Sequence, residues 1–165
     1  MLHKVVQLGG KSYFWLEKTN VVSMIQEYQV SGFRVREYEE LESTNTEAER
    51  VGWSELEDKM VILTYRQTQG RGQVGNHWES EPGKNISMTV VFKPRELSAG
   101  QQFAVSMVIA LGACDFISRY VSGCSVKWPN DIYVGDRKIS GILIEHSIMG
   151  RYVGGSLCGI GVNFN

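Results

Sequence analysis

The chain has 165 residues, 42% of them hydrophobic and 21% charged, and 17 Lys plus Arg stand against 18 Asp plus Glu for a net charge of −1. These values suit one globular domain and argue against disorder, and no global basic field marks a nucleic-acid binder. Cys114, Cys124 and Cys158 lack C-x-x-C or Cys/His spacing, which argues against a disulfide framework or a zinc site and for reduced thiols in a cytoplasmic protein. The opening "MLHKVVQLGGKSYFWLEK" has no signal-peptide layout, and no stretch is expected to reach the length of a membrane span.

In chain order, residues 4–8 and 12–17 read as short strands around the turn signal "GGK". Residues 20–29 carry Val21, Val22, Met24, Ile25 and Tyr28 at roughly helical spacing, with Asn20 as N-cap. Residues 33–41 alternate as a strand with one wet face. A helix is expected over 43–58, opening on cap residues with acids in its first turn. Residues 59–67 form an interior strand, 68–85 a glycine-rich loop, and 86–92 another strand. The strongest helix covers 98–121, with Phe103, Met107, Ala110, Leu111, Cys114 and Ile117 at spacings of three and four. Pro129 excludes a helix over 125–134, and two strands follow, 138–148 and 152–164. This mixture, with late hairpins and no late helix, predicts an α+β fold with a mixed, mostly antiparallel sheet and helices packed on it.

The stretch "GRGQVG" at 70–75 matches G-x-G-x-x-G, but a dinucleotide fingerprint needs a helix opening on it. "NHWESEPGKN" follows instead, with Pro82 and Gly83 and no apolar period. The ribose-binding acid expected ~20 residues on is also missing, since position 95 is Arg. "PGKN" and "GGKS" lack the remaining parts of a Walker loop. Arg71, Trp78 and Lys84 in a glycine-rich loop suit closure over an anionic ligand, because glycine admits close backbone approach and arginine offers a fork to a carboxylate or phosphate. In "KWPNDIYV", Lys127 can act as a point charge on an anion. Asn130 and Asp131 either serve a magnesium ion or form an Asx turn. "STN" at 43–45 is either an ordinary N-cap or a set of small donors facing a ligand.

Together, "ESTNTEA", "RQTQGRGQVGNHWESEPGKNISMTVVF", "VKWPNDIYVGDRKISGILIE" and "GIGVNFN" resemble the biotin protein ligases, also called biotin–[acetyl-CoA-carboxylase] ligases, in order and spacing over roughly residues 36–165. The resemblance implies the class II synthetase-like catalytic domain of the biotin and lipoyl ligases. It implies formation of biotinyl-5′-adenylate from ATP and biotin with Mg2+, then transfer to a lysine of a biotin carboxyl carrier domain. By the same resemblance Ser43, Thr44 and Asn45 contact biotin, Thr44 and Asn45 addressing its ureido ring, and Gln67 hydrogen-bonds on the biotin side of the pocket. Arg71, Gly72 and Gln73 order over biotin and the adenylate, and Lys127 binds the carboxylate and phosphate as the anhydride forms. Trp78, Asn130 and Asn163 serve the nucleotide side, and Asp131 is the candidate metal ligand. Lipoyl and octanoyl ligases share the fold, but the pairing of "GRGQxGxxW" with "KWPND" looks like the biotin branch. Residues 1–35 fall outside the match as an N-terminal extension, with no helix-turn-helix pair and hence no expected DNA partner. No membrane partner is expected either. Relatives usually continue beyond the point matching Asn165, so a catalytic domain incomplete at its C-terminus is expected, with homodimerisation through uncovered edges as one expected form.

Overall fold

The computed structural model describes residues 4–8, 11–15, 22–73, 75–81 and 83–164. Ten strands form one sheet: β1 (Lys4–Leu8), β2 (Lys11–Trp15), β3 (Val22–Val30), β4 (Phe33–Tyr38), β5 (Met60–Thr64), β8 (Asn85–Phe92), β9 (Cys124–Lys127), β10 (Asp131–Val134), β11 (Arg137–Met149) and β12 (Tyr152–Asn163). Their spatial order is β1-β2-β3-β4-β5-β8-β12-β11-β10-β9. A separate two-residue pair, β6 (Gly70–Arg71) with β7 (His77–Trp78), crosses the glycine-rich loop. Only β4 and β5 run parallel, and helix α1 (Thr44–Val51) is their crossover, as parallel neighbours require. The second helix, α2 (Phe103–Ser118), follows a 3-10 turn at Ala99–Gln101. The α+β expectation with a mixed, mostly antiparallel sheet holds.

Residues 22–29 are strand rather than helix. Val22, Met24, Tyr28 and Val30 fit alternation as well as helical spacing, and β-branched and aromatic residues favour strands. Ser31 and Gly32, both at positive φ (49° and 81°), form a two-residue turn that pairs Val30 with Phe33. The proposed cap Asn20, and residues 16–17 of the second expected strand, lie outside the described residues. A boundary at residue 35 would cut β4, and β1–β3 continue the same sheet. Helix α1 stops at Gly52, where φ is 83°, well short of residue 58.

Two cores lie on opposite faces of the sheet. Tyr38, Leu41, Ala48, Leu56, Met60, Ile62, Val91 and Leu157 pack under α1. Ala110, Ile117, Ile132, Ile142 and Val162 pack under α2. Leu157 and Val162 stand an odd number of residues apart on β12, so alternation sends them to opposite sides. The expected apolar stripe of α2 is only half right. Ala110 and Ile117 are buried, but Phe103, Met107 and Leu111 are 40%, 42% and 64% exposed, while Val105 is buried. The helix is apolar nearly all round, so periodicity could not select the packed face. The expectation that no stretch reaches membrane-span length also fails: residues Ala99–Ser118 are long and apolar enough by length and composition.

Ile62 is fully buried between α1 and the sheet. Ile62→Ala should lower unfolding free energy by about 2–5 kcal/mol, read from the urea midpoint.

Candidate functional site

The site forms where the N-terminus of α1 meets β11, β12 and the β6–β7 loop. Backbone bonds fix this meeting. Thr68 N donates to Leu41 O, and Gln69 N donates to Glu42 O, so the segment entering α1 lies alongside the segment entering β6. Gln67 Oε1 accepts from Thr44 N at 3.0 Å, which leaves its amide nitrogen for the cavity it lines. Ser43 occupies the N-cap position, yet its hydroxyl makes no capping bond, although it is buried and lines the cavity.

Asn45 is 2% exposed and its amide is committed. Thr89 Oγ1 donates to Asn45 Oδ1 at 2.5 Å, and Asn45 Nδ2 donates to Glu145 Oε2 at 2.7 Å. Thr89 Oγ1 also lies 2.8 Å from Thr44 Oγ1. A hydroxyl has one proton to give, so with Asn45 taking it the Thr44 hydroxyl is the donor in that second contact. Just below, burial raises the carboxyl pKa of Glu47, and the Arg50 guanidinium at 2.9 Å works against the rise.

The cavity, about 180 Å³, is floored by glycine. Gly141 and Gly161 are cross-strand partners, and the Trp78 indole lies on both. A Cβ on Gly141 would stand 2.8 Å from the ring, and one on Gly161 would collide with it. Trp78 Nε1 is buried with no partner among the described residues, as are the Oδ1 atoms of Asn85 and Asn163. A buried polar atom left unpaired is costly, so these mark places where a polar ligand could bond.

Cations and carboxylates meet at the rim. Lys138 Nζ lies 2.7 Å from Asp131 Oδ1 and 5.7 Å from the Trp78 ring centroid. Arg71 Nη2 lies 2.7 Å from Glu145 and 3.3 Å from Glu49.

Of the expected site residues, Ser43, Thr44, Asn45, Gln67, Arg71, Gly72, Gln73, Trp78, Asn130 and Asp131 line this one cavity. Lys127 does not. Its ammonium folds onto Tyr133, 3.4 Å from the phenol oxygen and 4.9 Å from the ring centroid, where cation–π attraction holds it. Lys138 is the ammonium that enters the cavity. A bulge between Ile132 and Tyr133 brings Lys138 opposite Tyr133, on the face of Asp131 and Gly141, where unbroken alternation would have sent it to the other face. Asn130 Nδ2 donates to Ile142 O at 3.1 Å, which ties the turn after Pro129 to β11. Asp131 is neutralised by Lys138, and the described residues hold no group of three or more His, Cys, Asp or Glu that could bind a metal. The donor set therefore does not fit a metal held by the protein alone. Asn163 lies outside the lining, paired with Asn85 at the end of the same strand face. Lys138, Glu145, Thr89 and the glycine floor were missed. Only the alternation of Gly159 and Gly161 with Ile160 and Val162 hinted at a strand face cleared of side chains.

Residues 38–163 match the biotin/lipoate A/B protein ligase family, and the chain belongs to it. It is 33% identical over 124 residues to the biotin–[acetyl-CoA-carboxylase] ligase of Paracoccus denitrificans, covering 74% of this chain and 51% of that one. It is 30% identical over 144 residues to the bifunctional ligase/repressor BirA of Escherichia coli K12, covering 86% and 44%. Among solved structures, it resembles the biotin acetyl coenzyme A carboxylase synthetase of Helicobacter pylori with bound biotinylated ATP (TM-score 0.64, 29% identity, 78% and 60% covered). It also resembles the biotin protein ligase of Aquifex aeolicus in complex with biotin and ATP (TM-score 0.63, 26% identity, 78% and 51% covered). The chain thus spans about half the length of these curated relatives.

Gly161→Ala should push the Trp78 ring off its bed and shift tryptophan emission to the red. The shift should vanish when the same change is made in a Trp78→Phe background, as fluorescence spectra of the four variants would show.

Proposed function

We propose that this chain is the catalytic part of an ATP-dependent biotin protein ligase, which joins biotin to AMP and passes the biotinyl group to a lysine of a carrier domain. One observation carries the reading. Segments far apart in sequence, around Ser43, Gln67, Arg71, Trp78, Asn130 and Lys138, converge on a single cavity lined by two cations and by Trp78, whose indole nitrogen has no partner among the described residues. Relatives solved with biotin and ATP, or with biotinylated ATP, support it.

The chemistry follows from charge. A biotin carboxylate attacking the α-phosphate of ATP brings two anions together, and Arg71 and Lys138 stand at the rim to offset the charge as it builds. Lys138, paired with Asp131 at 2.7 Å, would turn from it toward the reacting oxygens. No side-chain nucleophile is needed, since the carboxylate itself attacks and pyrophosphate leaves. Ser43, with its hydroxyl uncapped, and Gln67, with its amide nitrogen turned to the cavity, suit the ureido group of biotin. Mg2+ would enter with the phosphates of ATP and screen their charge. Arg71, Gly72, Gln73 and Trp78 of the glycine-rich loop line the cavity, and the loop closing over the ligand would keep water from the anhydride.

Incubation with ATP, Mg2+, labelled biotin and a carrier domain tests the reading. Lys138→Ala should slow biotinyl-adenylate formation by roughly 10²–10³-fold. An unchanged rate in Lys138→Ala, or no pyrophosphate from the parent, would reject this assignment. Lipoate or octanoate replacing biotin as the better substrate would place the chain in the other branch.

A further inference from the structure

Two of the three cysteines meet between a helix and a strand. Cys114 lies in the last turns of α2, Cys124 opens β9, and their Sγ atoms stand 3.3 Å apart. Gly123, at φ 76°, turns the chain into β9 just before Cys124. Cys124 Sγ also lies 3.6 Å from Cys114 O, so the pair is seated against the helix end. Both thiols are half-buried beside the core under α2, whereas Cys158 is fully buried on β12. We propose that Cys114 and Cys124 form a reversible internal disulfide, stapling α2 to β9, when the chain meets a low-molecular-weight disulfide such as oxidised glutathione. The site is independent of the ligase reading. Bonded sulfurs stand about 2 Å apart, so the two thiols have roughly 1 Å left to close. A thiolate of the pair attacks the external disulfide, and one glutathione leaves as a thiolate. The other sulfur then attacks the mixed disulfide and releases the second glutathione. Two thiols thus give up two protons and two electrons, and one external disulfide is reduced to two thiols. Burial pushes the Cys114 thiol up, and its contact with Cys124 adds to the rise, so exchange is slow to start and relies on proximity to finish. Burial alone pushes Cys158 up to about 12, which keeps it out of the exchange. In a reducing pool the pair stays as thiols, and it responds as the disulfide fraction rises. The staple falls on a strand of four residues at the sheet edge, next to β10. That strand leads through Lys127 to Asn130, which lines the cavity.

The test incubates the folded, reduced chain with excess oxidised glutathione, alkylates the remaining thiols and maps the peptides by mass spectrometry. Hydrogen exchange of the β9 amides is followed in parallel. The expected product is a monomer cross-linked between Cys114 and Cys124, with Cys158 alkylated only after unfolding. Its β9 amides should exchange about tenfold more slowly than in the reduced chain. Dithiothreitol should reverse both changes. Cys114→Ser should instead keep one glutathionyl group on Cys124, and the parent map decides alone if that variant does not fold. The proposal is overturned if the parent ends with glutathione on either cysteine, with both thiols free, or with cross-links between chains. An internal cross-link that leaves β9 exchange unchanged would overturn the staple.

Discussion

The buried amide of Asn45 is the contact on which the site depends. Its oxygen takes the Thr89 proton and its nitrogen gives to Glu145, so the start of α1 is pinned between β8 and β11. Both hydrogen-bonding atoms must stay paired, because an orphaned amide at this depth would cost about 1–3 kcal/mol. That demand sets where Thr44 and Ser43 stand, and through Glu145 it sets where Arg71 stands. A Cβ on Gly159 would meet Asn45 Oδ1 at 2.6 Å, so the bare strand on that side is part of the same arrangement.

The parallel pair β4–β5 explains why α1 lies there. A parallel connection needs a crossover, and α1 with its flanking turns provides it, landing its first turn over the middle of the sheet. The strands beneath, β8, β12 and β11, run antiparallel, and from Ser140 to Ser147 on β11 and from Ser156 to Asn163 on β12 their pairing is unbroken, so one face can be cleared with glycine while the other packs against α2. The cavity and the second core therefore share strands, and Ile142 and Ile160 border both.

Electrostatically the rim is balanced rather than strongly basic. Arg71 faces Glu145 and Glu49, and Lys138 faces Asp131. An anionic ligand at this rim would compete with these carboxylates for the two cations. These pairs are partly exposed, and each contributes modestly to fold stability. Their value lies in geometry.

Much was legible from the chain. Gly-Lys, Gly-Asp and Gly-Arg turn signals, the alternation within residues 33–41 and the apolar run within 59–67 announced strands, observed at Phe33–Tyr38 and Met60–Thr64 for the last two. The convergence of "STN", "RQTQGRG" and "PND" was expected from resemblance, and the cavity bears out their proximity. Residues 22–29 were misread because their spacing fits both periods, and only the Ser31–Gly32 turn, closing a hairpin, decides between them. The packed face of α2 was beyond reach, since a helix apolar on all sides carries no directional signal. Lys127 and Lys138 are the sharpest case. Sequence singled out Lys127 beside the site and placed Lys138 only at the start of a strand. Which ammonium enters the cavity was decided by one bulge, which turns Lys138 inward, and by the Tyr133 ring, which draws Lys127 away. Side-chain direction along a strand follows register, and register is a property of the paired sheet.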